Sequence, residues 1–141
     1  EAKQLLNEVK EDLKHKNISY DAGMEIGVML ETPAAIMISR ELAKQVDFCS
    51  IGTNDLIQYT FGLNRQKTIA RKFYEECYPT LVQMLRTAIS NVHSEGKKVG
   101  ICGELGADLS WTETFVDMGM DSLSMAPNSI LSVREKVIKA E

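Results

Sequence analysis

Four short apolar runs, each followed by a stretch of helical periodicity, limit what this chain can fold into more than any other feature. They are EIGVMLE (residues 25–31), FCSI (48–51), KVGIC (98–102) and SLSM (122–125). All are too short for helices, and the first two read as strands buried on both faces. The stretches between them have a different period. Leu5, Leu6, Val9 and Leu13 share one face of a helix over 2–16, which the polar residues 17–21 end. Pro33 opens a helix over 34–44 with Ile36, Ile38 and Leu42 inward. A third helix starts near Pro79, with Leu81, Val82, Leu85, Ala88, Ile89 and Val92 inward, and Gly96 stops it. Ser110-Trp-Thr-Glu113 is a capping-box pattern opening a fourth helix that Gly119 ends, and Pro127 starts the last. No hairpin signal interrupts the series. The order α-βα-βα-βα-βα predicts parallel strands joined by right-handed crossovers.

The first two strand starts lie about 22 residues apart, as do the last two, but the middle pair is separated by about 51. The excess falls in residues 56–78, read as a long loop and a candidate binding or lid segment. Composition narrows the class. With 44% hydrophobic residues the chain is too apolar to be disordered. A net charge of −4 without a basic block argues against nucleic acid as a partner. No apolar run approaches the ~20 residues that span a bilayer, and the first residues do not read as a signal peptide. Cys49, Cys77 and Cys102 form no CxxC and have no His at zinc-ligand spacing, which fits a reduced, cytoplasmic protein without structural zinc. The chain opens without Met and in helical character, as if cut from something longer.

Ligands of parallel sheets bind beyond the C-terminal ends of the strands. The first strand here ends at Glu31, the second at Asn54-Asp55, the third at Cys102-Gly103-Glu104. The fourth runs into Met125-Ala126-Pro127-Asn128-Ser129, a small-residue turn able to accept an anion. Glu31 and Asp55 are either two hard oxygen ligands for one Mg²⁺ or a strand terminator and a helix cap. Cys102 is either a small core residue or a reactive thiol at a strand end. Arg65, in the long segment, is either solvated or a clamp for phosphate or carboxylate. His93 reads as a helix-end dipole or packing residue and His15 as solvent-exposed. Among the methionines, Met29 and Met125 stand near the strand ends.

Three motifs carry a resemblance. Gly27-Val-Met-Leu-Glu31-Thr-Pro33-Ala-Ala35, Asp47-Phe-Cys-Ser-Ile-Gly-Thr-Asn-Asp-Leu56 and Gly100-Ile-Cys-Gly-Glu104 resemble the C-terminal domain of the phosphoenolpyruvate (PEP)-utilising enzymes. That family includes Enzyme I of the sugar phosphotransferase system, pyruvate phosphate dikinase and PEP synthase. The likeness runs from about Gly23 to the end. Gln58-Tyr59-Thr60, His93-Ser94-Glu95-Gly96-Lys97 and Met118-Gly-Met-Asp-Ser-Leu-Ser-Met125 bring it nearest the Enzyme I branch. It departs from the branch at Asn64-Arg65-Gln66-Lys67, where Asp-Arg-Gly-Asn is usual, and at Gly106-Ala107-Asp108, where Ala-Gly-Asp is usual.

The resemblance implies an α/β fold, the second half of a (β/α)₈ TIM barrel with about four parallel strands and flanking helices. Residues 1–141 would be a partial PEP-binding domain, with 1–20 as a preceding barrel helix and linker. It implies Mg²⁺ held by Glu31 and Asp55, substrate held by Asn54, Asp55 and Arg65, and Cys102 as the acid/base at C3 of enolpyruvate. The implied reaction moves the phosphoryl group of PEP to a histidine and on to the phosphocarrier HPr, releasing pyruvate. No Gly-Gly-x-x-Ser-His segment occurs, so that histidine lies elsewhere and this chain alone is expected to be inactive. A dikinase or synthase, or a non-catalytic PEP-binding module, is the alternative. Unpaired sheet edges and the family's own dimerisation both predict self-association, as a homodimer.

Overall fold

The strand order separates two ways of arranging such a sequence. A doubly wound open sheet reverses its order at a switch point, whereas a barrel adds each strand beside the last. The computed structural model describes residues 1–62 and 71–140, and in the second span the side chains from residue 78 onward. Its elements are α1 (Ala2–His15), β1 (Gly27–Leu30), α2 (Pro33–Met37), α3 (Ser39–Ala43), β2 (Phe48–Gly52), α4 (Thr53–Phe61), α5 (Arg71–Ser94), β3 (Lys98–Cys102), α6 (Leu109–Asp117), β4 (Ser122–Leu123) and α7 (Ile130–Ala140). The strands are all parallel and run β1-β2-β3-β4 without reversal. This is α/β architecture with four parallel strands flanked by helices, as in half of a TIM barrel.

Period-2 alternation gives the sheet two unlike faces. Leu30, Cys49, Ile51, Val99 and Ile101 point to one side and are buried against Ile36 of α2, Ala43 of α3, Leu85, Ala88, Ile89 and Val92 of α5, and Phe115 of α6. On the other side Met29 is 43% and Phe48 37% exposed. The expectation that the first two strands are buried on both faces is therefore corrected. Helices cover only one face of this sheet, and the other stays open among the described residues.

Several boundaries also differ from expectation, each for a local reason. The helix expected over 34–44 breaks at Ile38 into α2 and α3. There the buried Ser39 hydroxyl donates to the Ile36 carbonyl at 2.7 Å and accepts from Asn91 Nδ2 at 2.9 Å, competing with the helical ladder. Ile38, expected inward, is 52% exposed. The segment 56–78 is not a loop at either end. Helix α4 starts directly after β2 and ends at Gly62 in the left-handed conformation (φ 64°), and α5 already runs from Arg71 through Pro79. The N-cap of α6 is Asp108, whose carboxylate accepts from the Ser110 amide at 2.9 Å, rather than Ser110 itself. Strand β4 has two residues rather than four, although the Ser124 amide still donates to the Ile101 carbonyl at 2.9 Å. Leu5 and Val9 of α1 are exposed, so its apolar stripe has no cover among the described residues.

Candidate functional site

The open face of the sheet converges at the C-terminal ends of β1, β2 and β3. Met29 lies opposite Ser50, Ser50 opposite Gly100, and Gly52 opposite Cys102, so these residues share that face. Gly52 is the low point between two side chains that reach toward each other from the strands on either side of β2. A Cβ on Gly52 would lie 2.9 Å from both Cβ and Oε2 of Glu31 and 3.3 Å from Met29 Sδ. With no side chain there, Met29 reaches across β2 to Cys102, its Sδ 3.4 Å from the thiol Sγ. The thiol also lies 3.4 Å from the Ile51 carbonyl oxygen. Glu31, Met29 and Cys102 thus meet over one glycine.

The first turn of α4 supplies the next groups. Because the helix begins at Thr53, Asn54 and Asp55 stand immediately beyond Gly52 at the end of β2. Thr53 Oγ1 donates to the Cys102 carbonyl at 3.1 Å, tying the start of α4 to the end of β3. Gly103 follows with φ 111°, a conformation open to glycine, and a Cβ there would lie 2.7 Å from Thr53 Oγ1. Asn54, Gly103, Glu104, Ala107, Ser124, Met125 and Ala126 line an adjoining cavity of about 410 Å³. The turn expected at the end of β4 is present as a three-residue 3₁₀ turn, Pro127–Ser129.

Partnering divides the polar groups sharply. Among the described residues the side chains of Glu31, Asp55 and Glu104 make no hydrogen bond or ion pair. No cluster of three or more His, Cys, Asp and Glu positioned for a metal occurs among the described residues. Two free carboxylates of hard oxygen donors suit Mg²⁺, which commonly takes one or two and leaves its other positions to water and substrate phosphate. The donor set therefore fits that ion. Arg65 and Asn64 lie outside the described residues, as does the Cys77 side chain. Cys49, 1% exposed, faces the helices, and burial pushes its thiol pKa up. Cys102 is half-buried on the open face.

Sequence reading named the strand-end residues but missed what joins them. Neither Gly52 nor Thr53 stands out in the sequence, yet one clears the space between Glu31 and Cys102 and the other fastens α4 to β3. Counting by twos back from Glu31 and from Cys102 puts Met29 and Gly100 on the same side as both, a signal available without coordinates. His93 is not at this end. Its Nε2 pairs with Asp121 Oδ2 at 2.8 Å near the opposite edge of the sheet.

The family model of the PEP-utilising enzymes' PEP-binding domain matches residues 1–141. The phosphoenolpyruvate-protein phosphotransferase of Streptococcus equinus is 39% identical over 140 residues, 99% of this chain and 24% of that protein. The protein of that name from Geobacillus stearothermophilus is 39% identical over 139 residues, again 99% and 24%. That of Buchnera aphidicola from Acyrthosiphon pisum is 40% identical over 127 residues, 90% and 22%. The chain spans about a quarter of the length of these curated relatives. It belongs to the PEP-utilising enzyme family. No helix among the described residues is long and apolar enough to cross a membrane.

Proposed function

We propose that this chain forms the metal- and proton-handling side of the site of a PEP-protein phosphotransferase. The meeting of Glu31 and Cys102 over Gly52, beside Asn54 and Asp55, carries the reading. Asn54 and Asp55 hold the substrate, together with Arg65. Glu31 and Asp55 would hold Mg²⁺, which would supply positive charge to offset that of the phosphoryl and enolate oxygens. The P–O bond of PEP breaks as a histidine nitrogen outside this chain takes the phosphoryl group, leaving the enolate of pyruvate. Cys102 then donates its proton to C3, acting as general acid.

From the same reading follow a phosphocarrier protein of the HPr type as final acceptor, a role in sugar uptake and a cytoplasmic location. Self-association as a homodimer belongs to the same reading. The test is Cys102→Ala in a full-length context. PEP should still bind, while pyruvate forms about 10²–10⁴-fold more slowly. Near-normal pyruvate formation would remove Cys102 from the chemistry.

A further inference from the structure

The Cys102 thiol has one proton and two acceptors, the Ile51 carbonyl oxygen and Met29 Sδ, each at 3.4 Å. The two lie in different directions. Ile51 faces its side chain into the helical layer, and its carbonyl belongs to the backbone of the neighbouring strand. Met29 stands on β1, two strands from Cys102, and the line from Sγ to Sδ runs along the open face above Gly52. A proton turned to Ile51 is directed at protein backbone. One turned to Met29 lies over the surface that Glu31 also reaches, where a substrate must sit to touch both groups.

We propose that Met29 is a positioning residue, whose thioether sulfur competes with the backbone carbonyl for the Cys102 S–H and turns a share of it along the open face toward the substrate. This rests on the role given to Cys102 above. A thioether suits the task because it is a weak acceptor. It orients the proton yet gives it up when the enolate carbon arrives. The Sγ–H bond then breaks, the enolate electron pair forms the C3–H bond, C2–O becomes the carbonyl, and the thiolate regains a proton from water. Met29 is not among the described residues packed into the helical core.

The first experiment uses this chain as it stands. An infrared difference spectrum between wild type and Cys102→Ala isolates the S–H stretch of Cys102. Two components are expected, one for each acceptor, and a single one in Met29→Leu, which conserves volume and removes the sulfur. An S–H band unchanged by Met29→Leu overturns the proposal. The second reads deuterium exchange at C3 of pyruvate in a full-length context. Met29→Leu should slow exchange about fivefold, the worth of one weak hydrogen bond, with PEP affinity unchanged, and Met29→Gln, which restores an acceptor, should recover part of the rate. Wild-type exchange in Met29→Leu beside a dead Cys102→Ala overturns the role of Met29 alone. Wild-type exchange in Cys102→Ala overturns the role of Cys102 and this inference with it.

Discussion

The two ends of the sheet use the same residue types in opposite ways. At the N-terminal end Asp47 and Asp121 are occupied. Asp47, just ahead of β2, accepts from the Ile26 amide at 2.8 Å and returns its own amide to the Ile26 carbonyl at 2.8 Å. Asp121, just ahead of β4, does the same with Val99, at 2.8 Å and 3.1 Å. One clasp thus fastens β1 to β2 and is repeated between β3 and β4. At the C-terminal end the side chains of Glu31, Asp55 and Glu104 have no partner among the described residues, and Gly52 keeps the space beside Glu31 clear. A carboxylate that closes a strand's backbone bonds builds the fold, and one left over at the opposite edge is available for chemistry.

Gly52→Ala should break this contrast most severely. Gly52 has an ordinary backbone (φ −83°, ψ 88°), so alanine meets no conformational objection. Its methyl group would press on the root of the Glu31 side chain, which cannot swing away as a flexible tip could. Overpacking of this kind costs about 1–3 kcal/mol. We expect urea unfolding of the chain to show such a loss, and Mg²⁺-dependent PEP turnover in a full-length context to fall at least 100-fold through misplacement of Glu31. Retained turnover would mean that Glu31 need not stand over Gly52.

Asp121→Asn probes the occupied end and should leave the chemistry intact. Burial alone would raise the Asp121 pKa, but the Val99 amide and His93 outweigh it and hold the carboxyl below its ordinary range. A carboxyl lowered by folding stabilises the native state above its unfolded pKa, about 3.9. That contribution fades as pH falls through the lower folded value. At pH 7 the variant should be less stable by about 1 kcal/mol, since asparagine can still accept from Val99 but has no charge. The difference between the two proteins should shrink on acidification below about pH 4. A gap that stays constant with pH would show that the charge is idle.

The same contrast explains what the sequence made legible. Strand ends announce themselves because an apolar run must stop, so Glu31, Asp55 and Cys102 could be named from the chain alone. The clasps could not, since Asp47 and Ile26 are distant in sequence and joined only by register. Nor could the break at Ile38, where the decision belongs to Ser39 and to Asn91 on another helix. Pro79 misled because proline at a helix start is a strong local signal, whereas α5 runs through it. Local chemistry was readable, then, and choices settled by tertiary contacts were not.

The smallest effect is expected from Arg40→Ala. The Arg40 guanidinium Nε donates to Glu95 Oε1 at 2.7 Å, linking α3 to the turn after α5, and holds the Glu95 carboxyl below its usual range. Geometry alone would rank this contact with the Asp121 clasp. Its surroundings differ, for the arginine side chain is 58% exposed, and water and salt screen an exposed pair strongly. Removing Arg40 also leaves no buried amide unpaired, whereas loss of the Asp121 side chain would strand that of Val99. The urea midpoint of Arg40→Ala should lie just below wild type at low salt and neutral pH, and coincide with it at 1 M salt, where screening acts over about 3 Å. A deficit that survives high salt would place this pair with the clasps, as a structural joint rather than a solvated contact.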